Sequence, residues 1–250
     1  MPSPAHQVES AIFDDVALVA KLEAVAPLPQ ADREALAALC GNARELGPRR
    51  SLIREGDRPD HVHLIVEGWA ARYKLLADGA RQITAFLLPG DFCDLHVTIL
   101  GEMDHSIATV TRARVAFIAR GRMEALMERP AVAKAFWWAT LVDEAVLRSW
   151  IVNIGRRDAY EAIGHLMCEL YLRLRAVGLT RDHRYELPLT QEEIGDALGL
   201  TSVHVNRVLQ RMRGEGLISL DRCALAIHDY RRLEKASGFN PNYLHIDQRV

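Results

Sequence analysis

The sequence has no run of apolar residues that approaches the roughly 18 needed to cross a lipid bilayer. Its opening segment, MPSPAHQVESAIFDD, also lacks the basic start and apolar stretch of a secretion signal. We therefore expect a cytoplasmic protein with no membrane partner. Hydrophobic residues make up 49% of the chain and charged residues 26%, which is typical of a globular protein with a buried core.

Cysteine is scarce and widely spaced. The four cysteines, Cys40, Cys93, Cys168 and Cys223, form no C-x-x-C pair. This spacing argues against a disulfide framework and against a zinc knuckle. We expect reduced thiols that serve as small apolar side chains.

An excess of positive charge is also missing, since the net charge is −2 and the pI about 6.6. Any binding of nucleic acid must therefore depend on a local basic patch. A Walker loop, a Rossmann glycine pattern and a Ser-His-Asp arrangement are absent from the sequence as well. We predict a protein that is not an enzyme and has no catalytic residues.

The alternative of a metal-dependent enzyme depends on Gly56, His61, His63 and Glu67, which approximate the first metal motif of cupins. Two histidines and a glutamate could hold a metal ion. However, the spacing between Gly56 and His61 is one residue short, and no second motif with another histidine follows. We therefore predict no metal site.

At 250 residues, the chain is long enough for two domains of about 100–200 residues each. Helical spacing from Gln30 to Leu46 predicts a short helix. Short β-like runs separated by turn residues then follow from Leu52 to Ala119 and predict a small antiparallel β-roll. We predict an α+β protein with N-terminal helices and a β-roll over residues 1–129, a long helix over 130–155 and a C-terminal domain over 156–250.

The long helix has two neighbouring apolar stripes, which together cover more surface than one packing partner would need. We predict that it packs on the β-roll and also forms a homodimer with a second subunit. The alternative is a helix buried wholly within one chain. The first stripe, which we assign to the dimer interface, comprises Phe136, Ala139, Val142, Val146 and Trp150. The second stripe comprises Trp137, Leu141, Ala145 and Ile151.

The segment from Leu189 to Leu209, LTQEEIGDALGLTSVHVNRVL, has the pattern of two short helices joined by a tight turn. Thr190 and Glu193 have the spacing of a capping box that starts the first helix. Gly199 suits the left-handed turn residue, and Thr201 can cap the second helix. The segment therefore predicts a helix-turn-helix, and the hairpin-like stretch that follows predicts a wing.

The second helix of this segment should expose a basic face, because no acidic residue occurs between Thr201 and Arg213. Asparagine and arginine side chains match the edges of adenine and guanine in the major groove. The alternative is an ordinary packing unit with a solvated basic face. The predicted DNA-binding residues are Thr190, Thr201, Ser202, Val203, His204, Asn206, Arg207 and Arg211.

The β-roll with its EGDRPDHVHLIVEG segment, the long helix and the winged helix-turn-helix together resemble the Crp/Fnr family of transcription regulators. The resemblance covers residues 28–227. It implies that the roll has the cyclic-nucleotide-binding fold and that the long helix forms a parallel dimer. It also implies a palindromic operator in double-stranded DNA, with RNA polymerase as a further partner.

The resemblance places a candidate effector pocket at Gly90, Asp91, Phe92, Cys93, His105, Ser106, Leu147 and Arg148. The family's glutamate for the ribose is the shorter Asp91 here, and its arginine for the cyclic phosphate is His105, which lacks the guanidinium fork. A Thr-Ser pair for the base is replaced by Leu147 and Arg148. We therefore expect no cyclic AMP cofactor, with a regulator responsive to a cyclic nucleotide as the alternative.

Family members with an iron–sulfur cluster use an N-terminal group of cysteines, which this chain lacks. We therefore predict no cluster. Cys93 in the roll and Cys223 in the wing could sense oxidants if they were exposed and of low pKa. The interpretation that we favour is that both are buried, inert thiols.

Overall fold

A computed structural model describes residues 17–24, 27–95 and 99–246. Its helices and strands are, in chain order, α1 (residues 17–22), α2 (Gln30–Ala37), β1 (Arg44–Leu46), β2 (Ser51–Ile53), β3 (His61–Glu67), β4 (Ala70–Leu75), β5 (Arg81–Leu87), β6 (Ser106–Thr109), β7 (Ala113–Ala119), α3 (Arg120–Met127), α4 (Pro130–Arg156), α5 (Ala159–Ala176), β8 (Arg184–Glu186), α6 (Gln191–Leu198), α7 (Ser202–Gly214), β9 (Ile218–Asp221), β10 (Ala224–Ile227) and α8 (Tyr230–Ala236).

The N-terminal strands form the predicted antiparallel β-roll from two sheets, one with the order β1-β7-β3 and one with the order β2-β6-β4-β5. The strands bury apolar side chains in the core of the roll, where Leu64, Ile65 and Val115 are fully buried. The start of α4 adds Val132 and Phe136 to the same core. The roll and the α+β class are therefore as the sequence predicts.

Two short segments of the chain differ from the sequence interpretation. The helix predicted from Gln30 to Leu46 ends at Ala37, and Arg44–Leu46 forms β1, because these residues pair with β7. The polar stretch TRDHRYE, residues 180–186, indicates a loop in the sequence, but its last three residues, Arg184–Glu186, form β8 and pair with β10. Both segments are too short and polar for a periodic signal, so only the partner strand defines them.

The chain divides into two compact units, with the boundary inside α4. Of the described residues, the first unit contains 17–24, 27–72, 86–95, 99–141 and 246, and the second contains 73–85 and 142–245. Within the second unit, the Arg81 guanidinium binds the Asp196 carboxylate of α6 at 2.7 Å. The limits at 129 and 155 that the sequence suggested stay a prediction. Within the described ranges, no helix is both long and apolar enough to span a membrane.

Helix α5 lies at the centre of the second unit and is buried over most of its length. Asp158 caps its first turn, as predicted, and forms a capping box with Glu161. The α5 carboxylate of Glu169 accepts hydrogen bonds from the Trp150 indole of α4, at 3.1 Å to both oxygens, and from the Tyr243 hydroxyl at 2.7 Å. These bonds connect α4, α5 and the C-terminal tail.

A second polar side chain of α5, His165, is almost fully buried next to this network. Its ring stacks on Tyr243 and meets the edge of Phe239. Burial, assisted by the positive charge of Arg157, lowers the pKa of His165 to about 3. The folded protein therefore holds a neutral imidazole at neutral pH.

We expect this histidine to make folding sensitive to mild acid. Between pH 6.5 and pH 3 the unfolded chain binds a proton that the folded chain does not, so stability falls as the pH falls. His165→Phe, which keeps the aromatic contacts, should lose about 1–2 kcal/mol less stability than wild type between pH 7 and pH 5 in urea unfolding. The exposed His228→Phe should behave like wild type. An unchanged pH dependence in His165→Phe would contradict this assignment.

Candidate nucleic-acid interface

The turn between α6 and α7 has the predicted helix-turn-helix geometry. The Thr190 hydroxyl accepts from the Glu193 amide while the Glu193 carboxylate accepts from the Thr190 amide, which completes the capping box. Gly199 ends α6 in the left-handed conformation, with φ of 67°. Both residues therefore fix where the first helix begins and ends.

A further glycine, Gly195, permits the tight approach of this turn. A Cβ atom at this position would lie 2.4 Å from the backbone oxygen of Leu200, which cannot move away as a flexible side chain could. The close approach of the turn to α6 therefore depends on a residue without a side chain at position 195.

Helix α7 is positioned by its N-cap and by the residues on its buried side. Thr201 caps the helix and its hydroxyl accepts from the His204 amide at 3.3 Å. Val205, Val208 and Leu209 are buried, as predicted. The opposite side of the helix is thereby turned to solvent.

The solvent side of α7 carries most of the predicted DNA-binding residues. Ser202, Val203, Asn206 and Arg207 are exposed, with Val203 at 77% of its maximal accessibility, whereas His204 is half-buried. An exposed arginine and asparagine at the start of a helix match the donors and acceptors of base edges. This side of α7, which we call the recognition face, comprises Ser202, Val203, Asn206 and Arg207.

Arg211 does not have the environment that the sequence suggested. Its guanidinium binds the Glu215 carboxylate at 2.8 Å and lies 4.4 Å from the centre of the Tyr160 ring, while the Tyr160 hydroxyl donates to Glu215 at 2.5 Å. Glu215 therefore offsets the positive charge of Arg211, which the sequence interpretation placed among the DNA-binding residues. The i, i+4 spacing of Arg211 and Glu215 was visible in the sequence, whereas the approach of Tyr160 was not.

The wing consists of β9 and β10, which pair in an antiparallel hairpin as predicted, with β8 on the other side of β10. Its turn contains Arg222, with φ of 53°, and Cys223. Cys223 is exposed, which corrects the interpretation that it is a buried thiol, whereas Cys40, Cys93 and Cys168 are buried.

In the roll, the residues of the candidate effector pocket have structural partners of their own. Gly90 has φ of 87°, and a Cβ atom there would lie 2.8 Å from the backbone oxygen of Ala17. The Asp91 carboxylate is buried, binds the Lys21 ammonium and accepts from the Leu88 amide. The Asp91 carboxylate, which the family resemblance assigns to the ribose, therefore already has binding partners within the chain.

The remaining pocket candidates of the roll are also packed against the chain. Phe92 meets the ring of Phe136 edge to face at 5.3 Å, and Cys93 is fully buried. His105 lies 2.6 Å from the Asp104 carboxylate, and the Ser106 hydroxyl accepts from a backbone amide. Leu147 and Arg148 belong to the second unit, where Leu147 is exposed and Arg148 binds Glu144.

The suggested metal residues of the cupin alternative are engaged in other contacts. His61 binds Asp60, buried His63 lies 3.4 Å from the Asp94 carboxylate, and Glu67 binds Arg114. In the part of the chain that the structure describes, no three His, Cys, Asp or Glu residues form a group that could hold a metal ion.

The two apolar stripes of α4 differ in how far the chain buries them. Phe136, Val146 and Trp150 of the first stripe are buried within the chain, and Ala139 and Val142 are half-buried. The assignment of Phe136, Val146 and Trp150 to a dimer interface is therefore corrected, because the chain itself covers these side chains, whereas the assignment of Ala139 and Val142 stays a prediction. The exposed apolar side chains of α4 are Trp137, Leu141, Leu147, Ile151, Val152 and Ile154.

A β-roll, a long helix and a winged helix-turn-helix with an exposed recognition face define a DNA-binding transcription regulator. Residues 43–130 match the family described as cyclic nucleotide-binding domain, and residues 162–236 match the Crp-like helix-turn-helix domain. The chain belongs to the Crp/Fnr family of transcription regulators.

Relatives across most of the chain support this membership. The transcriptional activatory protein AadR of Rhodopseudomonas palustris is 30% identical over 83% of this chain and 85% of its own length. The transcriptional activator protein FnrL of Cereibacter sphaeroides is 29% identical over 76% of this chain and 77% of its own. The structure of FixK2 from Bradyrhizobium japonicum has a TM-score of 0.67 and 25% identity, covering 78% of this chain and 96% of that one.

We expect Gly195→Ala to destabilise the DNA-binding unit by about 1–3 kcal/mol, because the new methyl group would collide with the Leu200 backbone. Chemical denaturation followed by circular dichroism measures this change. Gly214→Ala is the matched control, since a Cβ atom at Gly214 meets no atom within 4 Å. Equal stability of the two variants would show that the turn tolerates a side chain at Gly195.

Proposed function

We propose that this regulator acts in the cytoplasm as a homodimer that binds a palindromic operator through α7 and contacts RNA polymerase. The observation that carries the DNA part is the recognition face of α7. Its apolar back is buried and its cap is formed, so that Asn206 and Arg207 are held on the solvent side. The similarity to AadR and FnrL, which are named as transcriptional activators, supports the polymerase contact.

The operator should have two-fold symmetry with half-sites one helical turn apart, because a dimer presents two recognition helices about 34 Å from each other. Exposed Val203 offers an apolar contact that suits the methyl group of thymine. The family often places a glutamate at this position, so the operator should differ from the family pattern at that base pair.

The roll is not tuned to cyclic AMP in this proposal. Asp91 is engaged by Lys21 and by its own turn, and His105 cannot form the two parallel bonds that arginine makes with a phosphate. An iron–sulfur cluster does not fit the residues either. Cys40, Cys93 and Cys168 are buried, and Cys223 lies in the wing.

The dimer in this proposal uses the exposed stripe of α4. Five large apolar side chains of α4 are exposed to water in the single chain and follow one another at intervals of three to six residues. They are Trp137, Leu141, Leu147, Ile151 and Ile154. Burying them against a second α4 would recover about 25 cal/mol for each Å² covered. Trp137, Leu141 and Ile151 belong to the second stripe of the sequence interpretation.

We expect Arg207→Ala to weaken binding to the selected operator by about 1–3 kcal/mol per half-site and to relax selectivity there. Arg211→Ala should have a smaller effect on salt dependence than a free cation would, because Glu215 already pairs with it. Selection from random DNA gives the operator, and titration at two salt concentrations gives the affinities. Recovery of no palindrome, or equal binding by wild type and Arg207→Ala, would contradict base recognition by α7.

We expect Leu147→Glu combined with Ile151→Glu to convert the dimer into a folded monomer, since both side chains are exposed in the single chain. Analytical ultracentrifugation measures the mass, and circular dichroism checks the fold. Leu179→Glu, which charges an exposed leucine outside α4, is the control and should stay dimeric. A folded dimer of the double variant would place the interface elsewhere.

A further inference from the structure

A cavity of about 400 Å³ lies in the second unit, between the C-terminal half of α4, α5 and the C-terminal tail. None of the residues that line it belongs to α7 or to the strands of the roll. Its polar lining includes Arg148, Ser149, Arg157, His165, Asn242 and Tyr243. Cavities of about 300–1,000 Å³ are the usual size for metabolites.

The lining of this cavity carries positive charge and no negative charge. It contains two arginines and no aspartate or glutamate. Arg148 binds the exposed Glu144 at 2.8 Å, whereas Arg157 makes a long bond of 3.4 Å to the neutral Asn153 amide oxygen. A guanidinium has five N–H donors, so Arg157 keeps donors for an anionic partner.

His165 supplies an independent observation at the same cavity. Its Nε2 lies 3.4 Å from the Ser149 hydroxyl, and its Nδ1 is buried with no hydrogen-bond partner among the described residues. Buried polar atoms without a partner are uncommon in native structures. Tyr243, on which the ring stacks, is fixed by its bond to Glu169, so the imidazole is held in place without a ligand.

We propose that this cavity binds a small organic anion, a carboxylate or a phosphate ester. Arg157 and Arg148 supply the charge, and Ser149, His165 and Asn242 supply neutral hydrogen-bonding groups. Val152 and the Tyr243 ring offer apolar surface for the rest of the ligand. This site goes beyond the proposed function, because apart from Arg148 it uses no residue of the candidate effector pocket, and it uses none of the recognition face.

Binding at this position would connect three parts of the second unit. Arg157 directly precedes Asp158, the cap of α5, while Ser149 lies on α4 and Asn242 on the tail. An anion bound among them would therefore stabilise the junction of α4 with α5. A ligand that binds only the folded protein also raises its melting temperature.

The test titrates the full-length protein with citrate, ribose 5-phosphate and inorganic phosphate, and follows the ring protons of His165 by NMR together with thermal melting. We expect saturable shifts and a higher melting temperature, with a Kd below about 1 mM for citrate or for ribose 5-phosphate. Comparing these two distinguishes a carboxylate ligand from a phosphate ester. Arg157→Gln should weaken the tighter one by about tenfold or more.

Arg156→Gln is the matched control, because Arg156 is an exposed neighbour that does not line the cavity. It should bind like wild type. If Arg157→Gln fails to fold, Arg148→Gln is judged by the same criterion. The proposal is overturned by the absence of saturable shifts with all three probes, by equal weakening in Arg156→Gln and Arg157→Gln, or by equal affinity for inorganic phosphate and the organic anions.

Discussion

Glu169 of α5 is a fully buried carboxylate, and its hydrogen-bond and ion-pair partners come from α4, from α5 itself and from the C-terminal tail. Burial raises the pKa of this carboxyl, an effect opposed by the Arg173 charge and by hydrogen bonds from Tyr243 and Trp150. A buried charge that lost a partner would cost about 3–5 kcal/mol. The network therefore connects α4, α5 and the C-terminal tail, which is distant in sequence from both helices, and α5 in turn packs against α6 and α7.

Helices α6 and α7 pack on that support, and their mutual position depends on backbone contacts. Gly195 lets the Leu200 carbonyl approach α6, and Gly199 turns the chain with a positive φ. The buried side of α7 then determines which of its residues face solvent. Arg207 and Val203 face solvent because the opposite side of α7 is buried, whereas the Arg211 guanidinium pairs with Glu215 and lies over the Tyr160 ring.

Helix α4 shows how one apolar segment can serve two purposes. Phe136 packs against Phe92 in the first unit, and Trp150 reaches Glu169 in the second. The chain thus buries one side of the helix within itself and leaves Leu147 and Ile151 exposed.

In the roll, the turn at Gly90 and Asp91 is filled by the backbone near Ala17 and by Lys21. The Asp91 carboxylate at this turn therefore has partners within the chain itself.

The sequence alone determined the β-roll, the long helix and the helix-turn-helix, because their signals are local. The capping boxes at Thr190 and Asp158 join residues three positions apart, and the apolar periods repeat within each element. Only the tertiary structure decided which stripe of α4 is exposed, that Arg184–Glu186 is a strand, and that Asp91 is engaged. Both stripes of α4 are apolar, and the choice between them depends on partners distant in the chain. Contacts over such separations leave no periodic pattern in the sequence from which they could be predicted.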